Sequence, residues 1–292
     1  MPDFLPFPID LSRVTGKARG NQWEARVSQD TSSNVTLVRE GRVALVTIRR
    51  GDRLNALSRD VMSELAAIAV ELRGDTSTSA VVLSGDPVFS AGADLSDRKL
   101  GIGPDIPLIE RREALRIGPD MCAAWEAIDQ TTIAAIEGFC IGGALALVAA
   151  CDFRIAGRGA HFRLPEIPLG MNMSWGTQPR LVNLIGPSRA KQLTIFGDRV
   201  PAEQAEAWGL VDAIAVDGGA PVLARQWAEK VAALPPLAVR MAKRAITAIV
   251  TANNAAATYM DADQYALAAL SDDHREAVAA FFEKRPGRFT GS

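Results

Sequence analysis

From Val35 onward the hydrophobic positions of the chain alternate between two periods. "RVALVTI", residues 42–48, is an apolar run of strand length. "SRDVMSELAAIAVELRG" then repeats at helical spacing, with Val61, Leu65, Ile68 and Leu72 on one face, Ser58 as N-cap and Gly74 ending the pattern. "AVVLSG", 80–85, predicts another short buried strand. After it comes "DPVFSAGADLSDRKLGIGPDIP", 86–107, a glycine- and proline-rich irregular segment of the kind that carries function. "REALRIGPDMCAAWEAIDQ" has helical spacing interrupted at Gly118-Pro119, "TTIAAIE" reads as a strand, and "GGALALVAAC" as a helix. Strand, turn and helix in repetition predict an α/β core.

Beyond Pro201 the strand signals nearly vanish, "LVDAIAV" excepted, and helical segments such as "PVLARQWAEKVAAL", "LAVRMAKRAITAIV" and "DDHREAVAAFFEKR" dominate. Before Val35 the chain is rich in Pro, Ser, Thr and Asn with no sustained period, as an extended arm would be. The pattern thus divides the chain into an arm over 1–34, a core over 35–200 and a helical region over 201–292.

Composition narrows the class. With 292 residues, 48% hydrophobic and 23% charged, the chain can bury a large core. A formal net charge of -2 supplies no basic field for nucleic acid. No apolar run approaches a membrane span, and "MPDFLPFPIDLSR" lacks the unbroken apolar core of a signal peptide, so a cytoplasmic location is expected. Cys122, Cys140 and Cys151 match no CxxC spacing and read as buried small hydrophobes, and the two histidines have no metal-site spacing, so no metal is expected.

The informative chemistry is at two glycine turns. Gly142 and Gly143 stand where a strand, read as ending at Glu137, hands over to a helix. A bare helix start there presents N–H groups to an anion or an oxyanion. The same glycines also suit tight helix packing. "FSAGADL" offers a second bare backbone at Gly92 and Ala93 after another strand, so two N–H donors from separate strand ends can converge on one oxygen.

Five segments in order carry a resemblance: "FSAGADL", "GFCIGGALAL..ACDFRIA", "FRLPEIPLG", "GDRVPAEQAEAWGLVD" and "DDHREAVAAFFEKRPGRF". Together, from about Val35 to Phe289, they resemble the crotonase superfamily, the enoyl-CoA hydratase/isomerase family. The resemblance implies a spiral of strand-strand-helix repeats followed by C-terminal helices that form a homotrimer or a dimer of trimers. It implies an acyl-CoA substrate, with coenzyme A present only as part of that substrate and no other cofactor. The oxyanion donors fall on Ala93 and Gly143 and the acid/base on Glu166. The implied substrate and CoA contacts are Arg53, Leu54, Ala91, Asp94, Leu95 and Gly142, with Phe281 and Lys284 closing the nucleotide pocket from the same or an adjacent subunit.

The chain departs from the pattern at one catalytic position. Many hydratases of the family use two glutamates, and the first of them falls here on Ala146. One carboxylate, Glu166, can take a proton from one carbon and return it to another, as an isomerase must, whereas hydration is helped by a second group that orients water. Ser174, Trp175, Gly176 and Thr177 replace a glycine-rich stretch. Trp175 reads either as core packing or as a wall of the acyl pocket, and Asn172 and Ser174 as candidates to hold a water. A CoA-thioester hydrolase, or a non-catalytic acyl-CoA- or RNA-binding member, are the alternative readings.

Overall fold

The computed structural model describes residues 33–51, 54–100 and 106–292. The expected arm over 1–34 therefore falls almost wholly outside the described residues, as does Arg53. Residues 33–292 make up one unit. In chain order its elements are β1 (Val35–Glu40), β2 (Val43–Ile48), α1 (Arg59–Gly74), β3 (Ala80–Gly85), α2 (Leu108–Ala114), α3 (Ile117–Glu126), β4 (Thr131–Ile136) and β5 (Phe139–Ile141). Then follow α4 (Gly143–Ala149), β6 (Phe153–Gly157), β7 (His161–Arg163), α5 (Thr177–Phe196), β8 (Val200–Pro201), α6 (Ala202–Trp208), β9 (Ala213–Ala215) and α7 (Ala220–Ala232). Four helices close the chain: α8 (Pro236–Thr251), α9 (Asn254–Thr258), α10 (Asp261–Ala268) and α11 (Asp272–Glu283).

Two sheets run along the spiral. The larger has the order β1-β2-β3-β4-β6-β9, antiparallel between β1 and β2 and parallel from β2 onward. The smaller has the order β5-β7-β8, and Ser90 bridges to Cys140 at its margin. Twice the chain lays a strand in the large sheet, a short strand in the small one and then a helix: β4-β5-α4 and β6-β7-α5.

The pleat explains why β4 is apolar on both faces. Ala134 and Ile136 join the main core with Trp125, Leu145 and Leu65, while Ile133 and Ala135 pack on the opposite face against Ala220, Ala224 and Ala228 of α7. The four-residue spacing of those alanines puts a row of methyl groups at the centre of this contact, with Leu223, Trp227 and Val231 of the same helix packing around it. At α1 the sequence reading holds closely: Ser58 caps it by accepting from the Val61 N–H, and Val61, Leu65 and Leu72 are buried. The three cysteines are buried, and burial pushes the thiols of Cys122 and Cys151 up to about 12, so they pack as small hydrophobes.

Two details differ from the pattern. The strand that should end at Glu137 is followed by a further strand, β5, before the glycine turn; three residues are too few to show a period. The break in the helical segment falls at residues 115–116, between α2 and α3, not at Gly118-Pro119. Pro119 lies in the first turn of α3, where a helix has no use for its missing N–H. Among the described residues no helix is long and apolar enough to cross a membrane.

Candidate active site

The two glycine turns meet. Residues 90–94 run between two partners. On one side Leu57 donates to the Gly92 carbonyl at 2.7 Å and accepts from the Asp94 N–H at 3.0 Å; on the other, Ser90 donates to the Phe139 carbonyl and accepts from the Ile141 N–H. Because alternate residues of an extended segment turn their N–H groups to opposite sides, the Ala93 N–H faces away from Leu57 and toward the 139–143 segment. A Cβ built on Gly92, at φ 88°, would stand 3.5 Å from the Gly143 nitrogen and collide with the Ile141 carbonyl, so only glycine lets the two turns close up.

The Gly143 N–H is the first of α4 and has no intrahelical acceptor. Neither it nor the Ala93 N–H has an acceptor among the described residues. As α4 is only seven residues long, its macrodipole is small and the aimed N–H groups matter more.

Glu166 stands over this turn. It follows Pro165 and opens a 3₁₀ turn whose fold-back is fixed by the Met171 N–H donating to the Glu166 carbonyl at 2.8 Å. Its Oε1 lies against Gly142, whose φ of 54° and ψ of -121° no ordinary residue adopts easily. Its Oε2 is buried without a hydrogen-bond partner. Burial raises the carboxyl to about 7, only partly opposed by a hydrogen bond to its own backbone and by the Arg163 charge. A carboxyl poised near neutrality can both take and give a proton.

Ala91, Ala93, Leu95, Gly142, Gly143, Glu166, Ser174 and Trp175 line one cavity, so most of the residues singled out from the sequence are brought together. Leu54, Asp94, Phe281 and Lys284 lie outside its lining. Leu54, exposed at φ 51°, borders the site through its carbonyl, which accepts from the Ala91 N–H. Asp94 is engaged by Arg50 and Ser96, whose hydrogen bonds hold its carboxyl below the usual range against the cost of burial. Phe281 is exposed on α11, and Lys284 is that helix's left-handed C-cap.

Trp175 is both core and wall. Its indole sits between Gly118 of α3 and Gly143 of α4, and a Cβ at either glycine would overlap the ring. Trp175 itself is at φ 63°, a conformation costly for a bulky side chain, and the surroundings hold it there. Arg180 donates to the Trp175 and Gly176 carbonyls and grips Glu126 through two bonds of 2.8 and 3.0 Å, while the Gly176 N–H donates to Asp261 at the start of α10. Ala146, one turn beyond Gly143, is fully buried.

A family model described as Enoyl-CoA hydratase/isomerase matches residues 39–292. The chain belongs to the enoyl-CoA hydratase/isomerase family. It is 33% identical over 255 residues to a short-chain-enoyl-CoA hydratase of Clostridium acetobutylicum, covering 87% of this chain and 96% of that protein. It is 31% identical over 263 residues to a 2,3-dehydroadipyl-CoA hydratase of Escherichia coli, covering 89% and 99%. An enoyl-CoA hydratase/isomerase structure from Pseudoalteromonas atlantica superposes with a TM-score of 0.77 at 27% identity, covering 88% of this chain and 100% of that one. The architecture is thus the crotonase fold, and the chain is a family enzyme acting on acyl-CoA.

The sequence reading did not single out Tyr265. It lines the same cavity from α10, and burial together with the nearby Glu166 charge pushes its hydroxyl up to about 12. A tyrosine in a weakly patterned C-terminal helix carries no spacing signal; only the folding of α10 back onto the 170–176 loop brings it to the site.

Proposed function

We propose that this enzyme moves a proton to and from the carbon next to the carbonyl of an enoyl-CoA thioester, with Glu166 as acid and base. The Ala93 and Gly143 N–H groups receive the thioester oxygen as it gains enolate charge, and such aimed donors stabilise that charge more than the ground state. The observation that carries this reading is the buried, unpartnered Oε2 of Glu166 in the same cavity as two unpaired backbone donors. Ala91, Leu95, Gly142, Ser174 and Trp175 form the acyl and thioester walls. Arg53, Leu54, Asp94, Phe281 and Lys284 belong to the CoA end. The exposed apolar face of α8, with Leu237, Met241, Ile246 and Ile249, supports assembly of the 201–292 region into a homotrimer or a dimer of trimers.

The test follows the ultraviolet absorbance of conjugated 2-enoyl-CoAs and of their 3-enoyl isomers. Loss from the former, with a hydroxyacyl product by mass, reports hydration; gain from the latter at constant mass reports isomerisation. Either activity should vanish in Glu166→Ala, and full activity in that variant sinks the assignment. Release of free CoA thiol instead would indicate a hydrolase.

A further inference from the structure

The cavity around Glu166 holds a second buried oxygen without a partner, Oδ1 of Asn172. A water lodged between two buried acceptors that are open on one cavity can satisfy both, since it brings two hydrogens and is the smallest such donor. The Asn172 side chain is fixed by its own amide, which donates to Gln264 Oε1 of α10 at 3.3 Å. That bond and the Gly176 N–H to Asp261 bond seat α10 on the 170–176 loop. Tyr265 is one turn beyond Asp261 and adjacent to Gln264, so it faces the same loop and lines the same cavity. Its hydroxyl makes no hydrogen bond to any described residue.

We infer that Asn172 and Tyr265 take over the water-orienting task of the glutamate that position 146 lacks, and that the enzyme is therefore a hydratase. The inference rests on Glu166 as acid/base. One water hydrogen points to Glu166 Oε2 and the other to Asn172 Oδ1. One oxygen lone pair accepts from the Tyr265 hydroxyl, and the remaining pair is aimed at the third carbon of the acyl group.

The step balances with these groups alone. Glu166 takes a proton from the water as its oxygen bonds to that carbon, and the double-bond electrons move through the second carbon to the thioester oxygen, held by the Ala93 and Gly143 N–H groups. Glu166 then returns the proton to the second carbon, leaving a 3-hydroxyacyl thioester and its own carboxylate restored. Tyr265, whose hydroxyl stays protonated at neutral pH, donates a hydrogen bond throughout, and in the reverse direction it assists departure of the hydroxyl group.

Isomerisation of a 3-enoyl substrate needs Glu166 but no water, so the two reactions separate the roles. The full chain is assayed for both as wild type, Tyr265→Phe, Asn172→Ala and Glu166→Ala. Tyr265→Phe should lower kcat for hydration roughly ten- to a hundredfold, the scale of a lost hydrogen bond to a reacting group, with KM little changed. The ratio of hydration to isomerisation should fall by a similar factor, and Asn172→Ala should shift it the same way should the tyrosine variant not fold. An unchanged ratio in a folded variant overturns the inference, as does a wild type that isomerises without hydrating; both leave Glu166 standing. Activity retained in Glu166→Ala overturns the underlying reading instead, and a wild type inactive on both substrate sets overturns both.

Discussion

Oε1 of Glu166 rests against Gly142 so closely that a Cβ built on that glycine would stand 2.6 Å from it. The bare turn that frees the Gly143 N–H also makes room for the carboxyl. Gly142→Ala should therefore act twice. The positive-φ backbone at Gly142, outside the left-handed helical region, costs about 1–3 kcal/mol in a non-glycine residue, and displacing the carboxyl by about 1 Å should lower kcat roughly a hundredfold. Thermal melts and turnover on one preparation separate the two effects.

Glu166 also sets a pH dependence. Its carboxyl, raised by burial to about 7, acts as a base only when ionised, so kcat/KM for hydration should rise with pH through about 7 and then level. Stability should move the opposite way. Between the ordinary glutamate range and about 7 the folded state holds a proton that the unfolded chain has released, so stability falls as pH rises through that window, by roughly 3 kcal/mol if fully expressed. Chemical denaturation of Glu166→Gln from pH 4 to 8 should lack that slope, and the variant should be the more stable protein at pH 8.

The Trp175 indole, sandwiched between Gly118 and Gly143, limits what enters the acyl end. Trp175→Ala should raise kcat/KM for bulky or aromatic 2-enoyl-CoAs relative to short ones by roughly tenfold or more, the usual scale for a pocket gaining space. Gly118→Ala should expel the ring from the other side and cost about 1–3 kcal/mol by overpacking. Competition between two acyl-CoAs in one assay measures the first, and urea midpoints the second.

Arg180 is buried and is the group on which the Trp175 turn hangs. Arg180→Ala leaves Glu126 and two carbonyls without their donor and should cost about 3 kcal/mol, the lower end for breaking a buried pair because Glu126 is a quarter exposed. Lost stability together with an altered acyl preference would tie the ion pair to the pocket; lost stability alone would limit it to packing.

Local rules carried much of the fold. The Ser58 cap, the buried face of α1, the apolar runs of β3 and β4 and the bare turn at Gly142-Gly143 were legible because each depends on neighbours within a few residues. Glu166 was legible only through the resemblance of its segment, "FRLPEIPLG", to the family. β5 was not legible, since a three-residue strand has no period of its own and exists through pairing with β7. Nor was the break before α3, where the glycine-proline pair looked like an interruption but serves as a first turn.

The sequence by itself determined most of the order of elements and the two glycine turns, because backbone preference and hydrophobic period are local properties, and it identified the lone carboxylate only through the resemblance of its segment to the family. Only the tertiary structure decided that the Ala93 and Gly143 donors share a cavity, that Trp175 is clamped by two helices, and that Tyr265 and Asn172 join Glu166. These are contacts between segments far apart in the chain, and they follow from how α10 and the two sheets pack rather than from any spacing along it.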